Sequence, residues 1–160
     1  KLFSPFSLRG LTVRNRIAVS PMCQYCAGND GKPHDWHLMH YGNLAVSGFG
    51  LILSEAIAVE PRGRITPNCL HLESDENERA LERIIRFCRT WGSGSLGIQL
   101  HHAGRKASAG SVTWEANIKR SLLPEEGGWP TVAASPIPMT PESQVPDALD
   151  KAGIASAIDG

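Results

Sequence analysis

The segment "GLILSEAIAV", residues 50–59, decides the fold of this chain. It is apolar almost without interruption from Leu51 to Val59. A half-exposed strand alternates apolar and polar residues, whereas a strand covered on both faces is apolar along its length. Strands of the second kind belong to parallel sheets with helices packed on both faces. The segment therefore predicts a buried strand of an α/β fold.

Two helix patterns flank this strand. Upstream, Asp35 can cap a helix over residues 36–46, because its carboxylate can accept hydrogen bonds from the first backbone N–H groups. The side chains expected on its inner side are Trp36, Met39, Leu44 and, at the margin, His40. Downstream, Ser74 or Asp75 can cap a second helix that ends at Gly92. Its apolar residues at helical spacing are Leu81, Ile84, Ile85 and Cys88.

Two further β-prone segments complete an alternating order of strands and helices. They are "RIAVS", residues 16–20, and "SLGIQL", residues 95–100. The expected strand ends at Ser20, Ala56 and Gln99 are 36 and 43 residues apart, which suits two βαβ units with parallel strands. Residues 109–146 are rich in Pro, Gly and Ser, which predicts a long loop, and helical periodicity returns at Asp147.

The composition excludes several classes of protein. The 160 residues are enough for one domain, and 16 basic residues balance 16 acidic ones, so neither a nucleic acid nor a membrane surface is an expected partner. No apolar run approaches the roughly 20 residues that span a bilayer. With no export pattern at the N-terminus, a cytoplasmic location is the expectation. The four cysteines are too few and too scattered for a disulfide scaffold and are interpreted as reduced thiols.

Polar and reactive side chains collect where the predicted strands end. Residues 20–25 follow the first strand, Glu55 and Ala56 lie near the end of the second, and residues 99–105 follow the third. The carboxyl ends of parallel strands share one edge of the sheet, where ligands of α/β proteins bind. The sequence therefore predicts a ligand site built from these three segments.

The same three segments carry a family resemblance. "NRIAVSPMCQY", "LILSEAIAVEPRGRIT" and "GIQLHHAGRKAS" closely resemble the Old Yellow Enzyme family, in particular its bacterial xenobiotic-reductase or NADPH dehydrogenase branch. The resemblance implies a (β/α)8 barrel with noncovalent FMN at the carboxyl ends of its strands. It also implies hydride transfer from NADPH through FMN to alkenes activated by a carbonyl or nitro group. Residues 1–160 are then the N-terminal portion of a single FMN-binding barrel domain.

The resemblance also assigns site residues. It implies that Ser20, Pro21, Met22 and Cys23 line the flavin, that Ala56 lies beside the ring and that the Gln99 amide bonds its pyrimidine edge. It implies that Tyr25 faces the substrate. A carboxamide suits a pyrimidine edge because it offers a donor and an acceptor in one group. No catalytic residue is expected in this portion, so residues 1–160 alone are predicted to be inactive, and the complete protein is expected to be a homo-oligomer.

The residues by themselves leave other interpretations open. Ser20 and Pro21 can simply end a strand, Cys23 can be an inert buried thiol, and Tyr25 can be ordinary loop packing. Glu55 is interpreted as structural, with its carboxylate paired to an arginine or to loop amides. Arg105 and Lys106 can reach an anion or can form a solvated or structural pair.

The histidines support one further alternative and one exclusion. Cys23 and Cys26 form a C-x-x-C, and His37 and His40 lie three residues apart, so a zinc-stabilised binding module is an alternative function. A non-catalytic barrel fragment is another. His101 and His102 are adjacent in a strand and should point to opposite sides, so at most one of them meets the site. Neither is assigned a catalytic role.

Overall fold

The core of the protein is a parallel three-stranded sheet, seen in a computed structural model that describes residues 1–110 and 120–159. The strands β3 (Ala18–Val19), β4 (Leu51–Ala58) and β5 (Ser95–His101) lie in the order β3-β4-β5. Val19 pairs with Ile52, and Ala56 pairs with Gln99. The predicted parallel arrangement is therefore correct, although β3 is shorter than the five residues expected for it.

Two helices connect and cover these strands. They are α1 (Asp35–Val46), between β3 and β4, and α2 (Asp75–Trp91), between β4 and β5. One apolar cluster joins the sheet to both helices, and its buried members are Val19, Tyr41, Ala45, Ile52, Ile84 and Cys88. The second half of β4 is buried, from Glu55 to Ala58, as the apolar segment predicted.

The inner face of α1 differs from the prediction. Trp36 and Met39 are 45 % and 53 % exposed, and the buried residues are His37, Tyr41, Gly42 and Ala45. His34, not Asp35, caps the helix by accepting the Trp36 N–H. The prediction followed apolarity, but α1 turns its polar His37 and Tyr41 inward because β4 supplies a buried partner for both, described below.

Helix α2 matches the prediction closely. Ser74 caps it by accepting the Asn77 N–H at 3.3 Å, and Ile84 and Cys88 are buried. Gly92 ends the helix where a Cβ would lie 2.6 Å from the Cys88 carbonyl oxygen. Gly42 of α1 faces the Phe87 ring of α2, at a point where a Cβ would come within 2.8 Å of it. The missing side chain at Gly42 therefore allows the two helices to pack closely.

A bulge interrupts β4 just before its buried half. Leu53 pairs with Gly97 and Ala56 with Gln99, so β4 has one residue more than β5 between these pairs. The Ser54 hydroxyl accepts the Gln99 backbone N–H at 3.1 Å and compensates for the irregular ladder. Bulges of this kind re-aim side chains and are common beside active sites.

The two ends of the chain contain strands that the sequence pattern did not predict. An antiparallel hairpin, β1 (Phe6–Leu8) and β2 (Leu11–Val13), precedes the sheet where only a turn was expected. Later in the chain, β6 (Val132–Ala133) pairs in parallel with β7 (Asp147–Ala148). Because Asp147 and Ala148 belong to β7, the last helix, α3 (Lys151–Asp159), begins at Lys151 and not at Asp147 as expected. Part of the predicted long loop lies outside the described residues.

Within residues 1–110 and 120–159, no helix is long and apolar enough to cross a membrane.

Candidate functional site

A loop of residues 20–26, here called the Cys23 loop, leaves β3 at the carboxyl edge of the sheet. Ser20 and Met22 are exposed, whereas Pro21, Cys23 and Tyr25 are partly buried. The Gln24 amide side chain donates to the Met22 carbonyl at 2.8 Å, which folds the loop on itself. The loop thus presents both exposed and half-buried groups at the edge where the sequence predicted a ligand site.

Cys23 lies against the second strand of the sheet. Its sulfur lies close to the backbone of Ala56, which is 7 % exposed and favours the thiolate form. Burial raises the pKa of the Cys23 thiol above 9.0, so at neutral pH it carries its proton. A protonated thiol beside a small side chain offers a weak donor and a polarizable surface.

Gln99 lies on the other side of Ala56. The two residues are direct neighbours in the pairing of β4 with β5. The Gln99 side chain is exposed, and its carboxamide has no hydrogen-bond partner among the residues that the structure describes. Three segments that are distant in sequence therefore bring the Cys23 thiol, the Ala56 methyl group and the Gln99 carboxamide to one edge.

Tyr25 has an unusual backbone conformation. Its φ is 53°, in the left-handed region that residues other than glycine rarely adopt. Burial and the neighbouring Cys23 thiol raise the pKa of the Tyr25 phenol above its ordinary value of 10.0. The phenol is therefore a neutral O–H donor at physiological pH. Left-handed residues of this kind cost free energy and concentrate at ligand sites.

Glu55 is the most deeply buried charged residue beside this loop. Its side chain is 0 % exposed, and its Oε2 accepts the Gln24 backbone N–H at 3.0 Å. Its Oε1 accepts the Tyr41 O–H at 3.4 Å and lies 3.4 Å from His37 Nε2. The predicted partnership with a loop amide is correct, but the other partners are a tyrosine and a histidine in place of an arginine.

The pKa values of Glu55 and His37 lie far from their ordinary values. Burial raises the pKa of Glu55 to about 7, although the Gln24 N–H and the Tyr41 O–H favour its ionised form. Burial, reinforced by His34 and His40, lowers the pKa of His37 to about 4. His37 is therefore neutral at physiological pH. The sequence analysis considered His37 only as a zinc ligand and missed Tyr41; their spacing of four residues on a helix was the signal available.

The two strand-end histidines have different surroundings. His102 Nε2 lies 2.9 Å from Glu60 Oε1, and its Nδ1 accepts the Gly104 N–H at 2.9 Å. His101 is partly buried, and its Nε2 has no partner among the described residues. Arg105 donates to the Ser135 hydroxyl at 3.2 Å, so its observed role is structural.

The zinc alternative receives no support from the structure. Residues 1–110 and 120–159 contain no group of three or more His, Cys, Asp or Glu side chains that could hold a metal ion. The four residues of that hypothesis have other neighbours. The Cys26 thiol donates to the Gln24 carbonyl at 3.1 Å, and His37 faces Glu55.

The groups at the sheet edge fit a flat heteroaromatic ligand. The side chain of Ala56 is a single methyl group, so it leaves space for a flat ring beside β4. The exposed Gln99 carboxamide can pair with alternating donors and acceptors of a pyrimidine. The neutral Cys23 thiol can lie against a polarizable ring system. These three features match the chemistry of a flavin ring.

Comparison with known proteins gives a family match over nearly the whole chain. The model of the NADH:flavin oxidoreductase / NADH oxidase family matches residues 1–158. An NADH:flavin oxidoreductase of Gibberella zeae is 42 % identical over 157 residues, which are 96 % of this chain and 37 % of that protein. An NADPH dehydrogenase of Geobacillus sp. is 38 % identical over 158 residues, which are 98 % of this chain and 41 % of that protein.

Solved structures give the same fold. Morphinone reductase superimposes with a TM-score of 0.78 at 22 % identity, covering 99 % of this chain and 42 % of that one. The Old Yellow Enzyme homologue of Zymomonas mobilis gives 0.77 at 24 % identity, covering 99 % and 42 %. The chain thus spans about two fifths of the length of the relatives it matches. The predicted fold class, part of a (β/α)8 barrel with parallel strands and covering helices, is confirmed.

Proposed function

The chain belongs to the NADH:flavin oxidoreductase / NADH oxidase family, and on this premise we propose that the complete protein is an FMN-dependent ene-reductase. Its reductant is NADPH, and its substrates are alkenes conjugated to a carbonyl or nitro group. The observation that carries the proposal is the meeting of Cys23, Ala56 and Gln99 at one sheet edge. Relatives named NADPH dehydrogenase support the choice of reductant.

The bound FMN would accept hydride from NADPH and deliver it to the β-carbon of the alkene. The residues of this chain bind the flavin ring and orient it. The Gln99 carboxamide pairs with the pyrimidine edge, and Ala56 leaves space for the ring. Ser20, Pro21 and Met22 contribute the exposed backbone and side chains of the loop that lines the ring. Cys23 keeps its proton and offers a weak hydrogen bond that tunes the reduction potential.

Tyr25 is the proposed substrate contact of this segment. Its phenol stays protonated and can donate to the carbonyl or nitro oxygen of the alkene. Such a hydrogen bond withdraws electron density from the double bond and stabilises the charge that develops there during reduction. The left-handed backbone at Tyr25 fixes the direction of this donor before the substrate arrives.

The direct test uses the complete protein purified without added flavin. Visible absorbance should reveal a bound flavin, and release of FMN into the supernatant on acid precipitation should show that it is noncovalent. NADPH oxidation under anaerobic conditions should then depend on an added enone, maleimide or nitroalkene. Gln99→Leu should weaken FMN binding, whereas Gln144→Leu, a control at a polar site distant in sequence, should not. A flavin-loaded protein without turnover on all three alkene classes would contradict the proposal.

A further inference from the structure

Two hydrogen bonds and one close contact reach the carboxylate of Glu55. The Gln24 backbone N–H points at Oε2, whereas the Tyr41 O–H and His37 Nε2 both lie on the Oε1 side. Tyr41 also accepts the backbone N–H of Glu55 itself at 2.8 Å. One buried carboxylate therefore connects the helix α1 to the Cys23 loop.

The tautomer of His37 follows from its other contact. His37 Nδ1 accepts the His34 backbone N–H at 3.1 Å, so this nitrogen carries no proton. Because His37 is neutral at physiological pH, its single ring proton is assigned to Nε2. This nitrogen lies 3.4 Å from Glu55 Oε1 but makes no hydrogen bond with any described residue. The Oε1 side of Glu55 thus meets one donor from α1, the Tyr41 O–H, and the ring of His37.

The start of α1 contacts the Cys23 loop at two more points. The Trp36 indole N–H donates to the Gln24 side-chain oxygen at 3.3 Å, and the His34 ring contacts the Cys26 carbonyl. Both contacts lie on exposed side chains, where water can replace them. The Gln24 to Glu55 hydrogen bond has its acceptor fully buried and cannot be replaced in this way.

We propose that Glu55 is a positioning residue that fixes the Cys23 loop through the Gln24 backbone N–H and so holds Cys23 on Ala56. Cys23 directly precedes Gln24, so the position of this one amide sets the approach of the thiol to β4. The link from Cys23 to the flavin rests on the proposed function. The link from Glu55 to the loop does not.

Glu55→Gln is the informative substitution because it keeps size and shape. A carboxamide has one oxygen and one NH2 group. With its oxygen toward Tyr41 it still accepts the Tyr41 O–H, but it then points its NH2 group at the Gln24 N–H, where two donors repel. The variant should therefore release the loop amide while α1 stays in place. Glu60→Gln is the matched control, because Glu60 lies just after β4, the strand that contains Glu55, but contacts Arg62 and His102.

The readout is hydrogen–deuterium exchange at the Gln24 amide in the complete protein, with and without FMN. Glu55→Gln should accelerate this exchange by about tenfold or more, as expected on losing a hydrogen bond to a buried carboxyl oxygen. Amides of β5 should keep their wild-type rates, and Glu60→Gln should leave Gln24 unchanged. A wild-type exchange rate at Gln24 in Glu55→Gln, or equal acceleration in both variants, would overturn the proposal.

A second measurement separates positioning from general stability. In the FMN-loaded protein, Glu55→Gln should shift the flavin midpoint potential, and it should add little to the shift in a Cys23→Ala background, since both changes act through one contact. Fully additive shifts would overturn the role of Cys23 as the intermediary. If Glu55→Gln does not fold, Tyr41→Phe is the substitute. It removes one donor from Oε1 and should also accelerate Gln24 exchange.

The two proposals fail in different ways. A wild-type protein that binds no FMN, but in which Glu55→Gln still releases the Gln24 amide, would contradict the proposed function and leave the positioning of the loop supported. An active flavoprotein in which Gln24 exchange does not respond to Glu55→Gln would contradict the positioning role alone.

Discussion

Two glutamate–histidine pairs near the end of β4 have similar geometry, but the pKa values of their glutamates shift in opposite directions. In each, a histidine Nδ1 accepts a backbone N–H and the Nε2 lies near a carboxylate oxygen, but only His102 Nε2 is hydrogen-bonded to it. The pair of Glu55 and His37 is 0 % exposed, whereas Glu60 and His102 are 17 % and 20 % exposed. The first pair supports the Cys23 loop, and the second connects β4 to the segment after β5.

The difference in exposure decides the charge of each glutamate. Burial raises the pKa of Glu55 to about 7. Burial also acts on Glu60, but hydrogen bonds from Arg62 and His102 outweigh it and lower the pKa of that carboxyl below 4.5. Near neutral pH the Glu60 carboxyl is therefore ionised, whereas the Glu55 carboxyl titrates in that range. The greater solvent exposure of Glu60 and its contact with Arg62 account for this difference in pKa.

The largest expected effect is the loss of FMN binding when residues 1–160, which contain both pairs, are separated from the rest of the protein. Both pairs lie within residues 1–160, yet β5 pairs only with β4 among the described strands, and Ile98 and Leu100 are 46 % and 57 % exposed. We predict that this segment alone binds FMN at least about 100-fold more weakly than the complete protein, since charge-assisted phosphate contacts are not identified in it. Equilibrium dialysis with FMN measures the difference, and a segment that is monomeric, yellow and active would contradict the prediction.

The next effect compares removal of the two carboxylates. Glu55→Ala should lower the free energy of unfolding of the complete protein by ~3–4 kcal/mol, because it leaves the Gln24 N–H and the Tyr41 O–H buried without an acceptor. Glu60→Ala should cost ~1 kcal/mol, because water can reach the groups it leaves. Urea unfolding followed by circular dichroism measures both values. Equal losses would show that burial does not distinguish the pairs.

The pairs should also respond to pH with opposite signs. The pKa of Glu55 rises on folding from 4.5 to about 7, so its contribution to stability is full below pH 4.5 and is lost as the pH rises toward 7. This loss amounts to roughly 3 kcal/mol at most, at about 1.4 kcal/mol per pKa unit. The pKa of Glu60 falls on folding, so its contribution is present above 4.5 and is lost as the pH falls.

The measurement for this prediction is a difference between variants. The stability of wild type minus that of Glu55→Gln should decrease from pH 5 to pH 8, and the corresponding difference for Glu60→Gln should not. Subtraction removes the background from His37, whose pKa falls to about 4 and whose contribution is lost as the pH drops below 6.5. A flat difference for Glu55→Gln would show that its carboxyl has an ordinary pKa.

The smallest effect concerns the two thiols of the loop that Glu55 supports. Cys23→Ala should shift the flavin midpoint potential by ~20 mV, the equivalent of one hydrogen bond of about 1 kcal/mol in a two-electron couple. Cys26→Ala should shift it much less, because the Cys26 thiol donates to the Gln24 carbonyl inside the loop. Redox titration of the bound flavin gives both values, and equal shifts would argue against contact between Cys23 and the ring.

Much of the fold could be predicted because it depends on local pattern. The apolar segment at β4, the Ser74 cap and the glycine at the end of α2 identify their elements without knowledge of neighbours. The short hairpin β1–β2 was missed, since three-residue strands carry too few residues for a period to show. The face of α1 was wrong because apolarity favoured Trp36 and Met39, which the structure leaves exposed.

The sequence by itself determined the parallel α/β architecture and the three segments that meet at the sheet edge. Hydrophobic periodicity and chain connectivity are properties of neighbouring residues, and they suffice for that conclusion. Only the tertiary structure decided that Glu55, His37 and Tyr41 form one buried cluster and that Gln24 is held by it. The charge of a carboxyl depends on the solvent and donors that surround it in three dimensions, and residues far apart in sequence supply those surroundings.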